Sequence, residues 1–200
     1  HLEPEDDLSR QYLDIIQREV KRLEEIVKDI LSVSREVHSQ FTPANLNEIV
    51  RECLILYQDR IKGERVRLHT HLDRSLPRIP LDPAHMRQAI LNLLDNALEA
   101  MPKGGELNIS TSLSAEAAHL EIRDTGPGIP SEAAGTIFDP FYTTKVDGTG
   151  LGLTLTHRII SNHRGKIEAR NLPGGGAAFS ISLPLGQEVS QPLNGTEEVA

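Results

Sequence analysis

The stretch Asn92-Leu93-Leu94-Asp95-Asn96-Ala97-Leu98-Glu99 carries two carboxamides and a carboxylate at spacings of four and three residues. On an α-helix those spacings bring Asn92, Asn96 and Glu99 to one face. The opposite face holds Met86, Ala89, Ile90, Leu93, Leu94, Ala97 and Met101, the apolar stripe of a core helix. A helix with one packed side and one side of amide and carboxylate groups is built to hold something polar. A pair of satisfied core amides is the plainer reading of Asn92 and Asn96, and it suits one Asn better than two.

Two glycine-containing loops could complete such a site. Asp124-Thr125-Gly126-Pro127-Gly128-Ile129-Pro130 follows an alternating strand pattern, so the Asp124 carboxylate falls at a strand end. Gly126 and Gly128 let the backbone turn sharply and approach a flat ligand. Taken alone, this stretch reads better as a β-turn with an Asx cap. Gly148-Thr149-Gly150-Leu151-Gly152-Leu153 runs straight into a helix. Successive backbone N–H groups and a helix N-terminus form an anion site. The preceding residues, Phe138 to Lys145, read as a loop, so a dinucleotide fingerprint does not fit, and the Gly-Lys-Ser/Thr of a Walker A loop is absent. The stretch is a phosphate loop of another kind or a flexible hinge. Lys145 could supply the cation that a triphosphate needs. Asn96 offers a carboxamide oxygen, and magnesium favours such hard oxygens, keeping several waters and sharing substrate phosphates.

Elements able to position these residues are legible in the hydrophobic periodicity. Residues 8 to 37 repeat Leu13, Ile16, Val20, Leu23, Val27 and Ile30 at alternating three and four spacing, the seam of a coiled coil or helical bundle. A break near residue 40 marks a domain boundary. Asn45 with Glu48 resembles a capping box opening a helix to about Lys62, with Ile49, Cys53, Leu54, Tyr57 and Ile61 inward. Val66, Leu68, Thr70 and Leu72 alternate as a strand. Asp82 caps the central helix, with Pro83 in its first turn. Strands over Leu107–Leu113 and around Leu120–Ile122 follow, then thirty residues with little periodicity, a helix from about Leu151, and strands over Lys166–Arg170 and Ala177–Leu183. Low periodicity over so long a stretch points to function. The division is 1–39 for the bundle helix, 40–185 for the main domain, and 186–200 for a tail read as disordered.

Composition narrows the ligand class. A formal net charge of −8 argues against general nucleic-acid binding, which needs a basic patch. Any anion must be held by backbone donors, a metal ion and a few cations. The single cysteine, Cys53, lies on an apolar helical face and reads as a buried, inert thiol. No Cys/His cluster has zinc spacing, and neither a transmembrane run nor a signal peptide is visible, so no membrane contact is expected from this segment.

Taken together and in order, these stretches resemble the boxes of the sensor histidine kinases, whose catalytic domain belongs to the gyrase/Hsp90/histidine-kinase/MutL ATP-binding superfamily. NLLDNALEAM (92–101) is similar to the N box, DTGPGIP (124–130) to the G1 box, FDPFYTTK (138–145) to the F box and GTGLGL (148–153) to the G2 box. GGGAAFSISLPL (174–185) resembles the last glycine box and closing strand. The resemblance implies an α+β fold, a two-layer sandwich of a mixed sheet on helices of the Bergerat type, preceded by one long bundle helix. It implies ATP and Mg2+ as ligands. Asn96 would ligate the metal, and Asp124 would accept from the adenine amino group. Gly126, Gly128 and Ile129 would shape the adenine pocket. Thr144, Lys145 and the backbone of Gly148, Thr149, Gly150, Leu151, Gly152 and Leu153 would form a lid over the phosphates. Asn92 and Lys145 would be catalytic. Asn92 stands where the ATPase branches carry a water-activating Glu, and Asn is a poor general base. The implied partners are a response regulator receiver domain and a second copy, paired through the helical bundle. The implied location is cytoplasmic, with membrane anchoring of the parent left open.

Two departures follow. No histidine sits in the family's phosphoacceptor context, so the chain alone is expected to bind ATP without phosphorylating itself. Ala177 stands where the last glycine box often has Thr. The competing readings are a superfamily ATPase, an anti-sigma-type Ser/Thr kinase, and a non-catalytic module that docks a response regulator.

Overall fold

The computed structural model describes residues 39–186 except 134, 146 and 147, together with residues 12, 13, 16, 17, 19, 20, 23 and 27. Those eight early residues are helical, and the seam positions Leu13, Ile16, Val20, Leu23 and Val27 are 49–59% exposed. The rest of the helix expected over 8–37, and the tail expected to be disordered beyond Gly186, lie outside the described residues.

Two of the three main helices each start where a local side-chain signal places them. α1 (Leu46–Gly63) opens at Asn45, whose side chain accepts from the Asn47 N–H at 2.9 Å. The expected capping box does not close. Glu48 turns away to Arg78, 3.3 Å off, because that cation competes for the carboxylate that would have folded back. α2 (Pro83–Glu99) opens at Asp82, which accepts from Ala84 and His85 N–H at 3.0 and 3.1 Å. Pro83 costs nothing at the first position, where an N–H has no helical partner. α3 (Gly152–Asn162) starts without any side-chain cap.

Five strands form one mixed sheet in the order β2 (Val66–Leu72), β4 (Gly105–Leu113), β5 (Ala117–Asp124), β7 (Ala177–Pro184), β6 (Lys166–Asn171). β2 and β4 are parallel and the other neighbours antiparallel. Leu107, Ile109, Leu120, Ile122, Phe179 and Ile181 bury one face against the helices, where Leu93, Leu94, Leu98, Ile159 and Ile160 meet them. The opposite face carries Ser110, His119, Glu121, Arg123, Ser180 and Ser182. Polar residues alternating with buried ones make a sheet that is wet on one side. β2 lies where the alternation from Val66 to Leu72 placed a strand, though Val66 is buried and Leu68 is 37% exposed, because β2 is an edge strand whose middle has little cover. A separate pair, β1 (Thr42–Ala44) with β3 (Ile79–Leu81), sets Pro43 opposite Pro80 and was not expected. Two prolines in three-residue strands leave no alternation to read.

The incoming chain is tied to the start of α2 and the end of α3 at one point. Gln40 N–H donates to Asp82 Oδ2 at 2.8 Å, and the Asp82 N–H donates to His163 Nε2 at 2.9 Å. His163 Nδ1 lies 2.8 Å from the Ile159 carbonyl, so the proton resides on Nδ1. Phe41 packs edge-on against the same ring at 5.0 Å. Burial pushes the His163 pKa below its ordinary 6.5, outweighing the Ile159 hydrogen bond and Asp82. The unfolded chain then takes up the proton first as pH falls. The contribution of His163 is complete above pH 6.5 and is lost as pH drops through the lowered folded value. His163→Gln keeps an acceptor for Asp82 but does not titrate. Urea unfolding between about pH 8 and about pH 5 is expected to show a steeper acid loss in the parent than in this variant; identical slopes would contradict the assignment.

Candidate functional site

Three successive turns from Asn92 to the end of α2 each meet a different segment. In the first, Asn92 Nδ2 donates to the Gly152 carbonyl at 3.1 Å and lies 3.4 Å from Thr156 Oγ1. In the next, Asn96 Oδ1 accepts from Lys145 Nζ at 2.7 Å, and Glu99 forms an ion pair with the same ammonium. At the end, Ala100 lies against Gly126: a Cβ at 126 would stand 2.9 Å from both the Cβ and the carbonyl oxygen of Ala100. The stripe that packs the core, from Met86 to Met101, is at most 2% exposed throughout. The helix is held rigidly on one side and offers its polar side to all three loops.

Asp124 forms one end of this crevice. It is only 4% exposed, at the end of β5. Its Oδ1 accepts from the Gly126 N–H at 2.8 Å and from the Ala177 N–H at 3.3 Å. Burial pushes its pKa up, and the backbone donors offset this only in part. Ala177 therefore serves through its backbone, whatever its side chain lacks. The neighbouring Gly176, at φ +91°, allows this approach, since a Cβ there would collide with the Asp124 carbonyl.

The sequence reading missed three residues that shape the loops. Asn171 clamps Ile129 with two bonds, accepting from its N–H at 2.6 Å and donating to its carbonyl at 2.8 Å. This fixes the segment containing Gly128. Thr125 Oγ1 accepts from the Glu106 N–H at 2.9 Å, tying the turn to β4. Thr143 Oγ1 accepts from the Lys145 N–H at 3.1 Å, and Thr143 and the predicted Thr144 are both exposed. An Asn at a strand end and a Thr in a loop carry no periodic signal, so only the Thr143-Thr144-Lys145 cluster pointed here.

The glycine-rich loop behaves as a backbone device. Phe141 N–H donates to the Gly150 carbonyl at 3.0 Å, and Thr149 Oγ1 accepts from the Leu151 N–H at 3.3 Å. Leu151 is buried and Leu153 packs on the core, which anchors the loop beside α2. Gly148, Gly150 and Gly152 alternate with Thr149 and Leu151 in this run, and the N-terminus of α3 has no side-chain cap. Unpaired N–H groups at a helix start attract anions.

A cation already marks the oxygen side. The Lys145 ammonium rests on Asn96 and Glu99, so two oxygens converge on a positive charge. That donor set fits Mg2+, which takes hard oxygens and keeps several waters. Among the described residues no group of three His, Cys, Asp or Glu could hold a metal, so the fit depends on phosphate oxygens and water for the remaining ligands. No helix among the described residues is long and apolar enough to cross a membrane.

Known proteins are similar to this chain in sequence and fold. Signal transduction histidine-protein kinase AtoS of Escherichia coli K12 is 37% identical over 189 residues, covering 94% of this chain and 31% of AtoS. Sensor histidine kinase ZraS of Escherichia coli O157:H7 is 31% identical over 177 residues, covering 88% of this chain and 39% of ZraS. The chain thus spans less than half the length of either relative. Among solved structures, the catalytic domain of histidine kinase ThkA superposes with a TM-score of 0.68 at 34% identity, covering 73% of this chain and 96% of that one. ThkA in complex with response regulator protein TrrA gives a TM-score of 0.77, also at 34% identity, over 92% of this chain and 53% of that one. Residues 81–187 match the family described as histidine kinase-, DNA gyrase B- and HSP90-like ATPase, and the chain belongs to that family.

Proposed function

We propose that this chain is the ATP-binding catalytic part of a sensor protein-histidine kinase, delivering the γ-phosphoryl group of ATP to a histidine for relay to an aspartate of a response regulator. The observation that carries the reading is the order of contacts along α2: the glycine-rich loop at Asn92, the cation at Asn96 and the Asp124 turn at Ala100. A ligand lying along this face meets, in order, anion-binding backbone, a cation and a buried carboxylate. ATP has the matching order of phosphates, then base.

Each residue then has a task. Asp124 accepts from the adenine amino group through Oδ2, the oxygen that takes neither of its two backbone bonds. Gly126, Gly128 and Ile129 form the wall against the base, with Asn171 holding that wall. Lys145 and the N–H groups of Gly148 to Leu153 neutralise and orient the phosphates, with Thr144 at the lid's outer edge. Asn96, together with phosphate oxygens and water, would hold Mg2+, which supplies charge neutralisation on the phosphates when bound. Asn92 leaves the site without a general base, since its amide donates to Gly152 and has no basic nitrogen. Phosphoryl transfer needs positioning and charge more than covalent help, so a site without a base favours transfer to a positioned acceptor over hydrolysis. The similarity to ThkA, whose structure contains the response regulator TrrA, supports a receiver domain as partner. The apolar seam at Leu13, Ile16, Val20, Leu23 and Val27 supports pairing with a second copy through a helical bundle.

The test uses γ-labelled ATP with Mg2+, on these 200 residues and on a form extended upstream through a preceding bundle helix. Saturable MgATP binding by calorimetry is expected for both, phosphate release at background for both, and acid-labile phosphohistidine for the extended form. Sustained phosphate release would instead favour the ATPase reading, and acid-stable phosphate on an added protein the Ser/Thr kinase reading.

A further inference from the structure

Glu99 enters the site just described only as an oxygen beside Asn96 that pairs with Lys145, yet it is placed to influence the whole site. Its carboxylate pairs with Lys145 across 46 residues of sequence, and Asn96 shares the same ammonium. Lys145 therefore occupies the seat that suits a metal ion, and Glu99 neutralises the charge that the phosphates need. The two side chains are 42% and 44% exposed. A pair this open to water holds by a factor of about five at most, so it can be exchanged by a ligand that offers a better partner on both sides.

We propose that Glu99 makes nucleotide binding depend on Mg2+ by keeping Lys145 on the metal seat until a metal replaces it. The inference rests on the ATP-binding reading above. ATP arriving alone finds Lys145 already neutralised and meets the Glu99 carboxylate as a like charge. ATP arriving with Mg2+ brings a cation for Asn96 and Glu99, which frees Lys145 for the phosphates. Glu99 thus exchanges one cation for another, and Lys145 moves from protein oxygens to phosphate oxygens, so each charge has a partner at both stages. A neutral side chain at position 99 would release Lys145 without a metal.

The experiment is calorimetric titration of ATP, with Mg2+ and with a chelator, into the parent, Glu99→Gln, Lys145→Met and the double variant. Glu99→Gln, which keeps an oxygen for the metal but gives up the charge that holds Lys145, is expected to tighten metal-free ATP binding by about fivefold at most and to affect MgATP binding less, so that the ratio of metal-free to metal-loaded Kd falls. In the double variant that gain should shrink, because the freed lysine is its main source. Circular dichroism checks that the exposed substitutions leave the fold intact. An unchanged ratio of metal-free to metal-loaded Kd in Glu99→Gln would overturn the proposal. So would a gain that persists undiminished without Lys145, which would show simple charge repulsion. A parent chain that binds no MgATP would remove the underlying reading along with it, an outcome distinct from either of these.

Discussion

Asp124→Asn is expected to bind MgATP about a hundredfold more weakly than the parent while keeping its fold. The substitution is nearly isosteric, and its orientation is dictated by the surroundings. Oδ1 must still accept from the N–H groups of Gly126 and Ala177. The new amide nitrogen is therefore turned toward the ligand, where it presents a donor to the adenine amino group, itself a donor. One hydrogen bond to a charged acceptor contributes about 1.5–3 kcal/mol, and the donor–donor clash adds to its loss. Removing a charge that burial disfavours costs the fold little, so urea unfolding should be close to parental. Discrimination between ATP and GTP should shrink in parallel, because the carboxylate that rejects a carbonyl edge is gone. A Kd within about threefold of the parent would show that Asp124 only shapes the turn.

Asn96→Ala should remove most of the advantage that Mg2+ gives to ATP binding, weakening the metal-loaded complex by about ten- to a hundredfold. Metal-free ATP should bind within about threefold of the parent. The helix should tolerate the change, since Ala is a better helix former than Asn at a half-buried position. Titrating Mg2+ at fixed ATP separates the cases: a metal ligand shifts the Mg2+ midpoint, whereas a residue that merely positions Lys145 weakens both forms alike. Asn96→Ala and Glu99→Gln should narrow the same ratio from opposite sides, the first by weakening the loaded state and the second by strengthening the bare one. Equal loss with and without metal in Asn96→Ala would assign the metal elsewhere.

Much of this protein is determined by local pattern. The stripe from Met86 to Met101 repeats with the helical period, and every one of its stripe residues is buried because a helix can hide only one side. Asp82 followed by Pro83 starts that helix through short-range bonds, and the strands of the sheet follow from two-residue alternation. Each glycine-containing loop has a plainer reading by itself, a β-turn or a hinge, and only their order along the chain together with the polar face of α2 points to a site. Tertiary structure decided which groups meet across long separations. Asn171 reaches Ile129 over 42 residues, Lys145 reaches Asn96 over 49, and Glu48 leaves its own helix for Arg78. Pairing of β1 with β3 and the exposure of Leu68 also depend on where the sheet ends. Such contacts leave no period in the chain, because the free energy that selects them comes from packing and charge between elements. The polar face of α2 was visible from Asn92, Asn96 and Glu99 alone. That Lys145 rests there, with Glu99 as its counter-ion, is a fact of the folded chain.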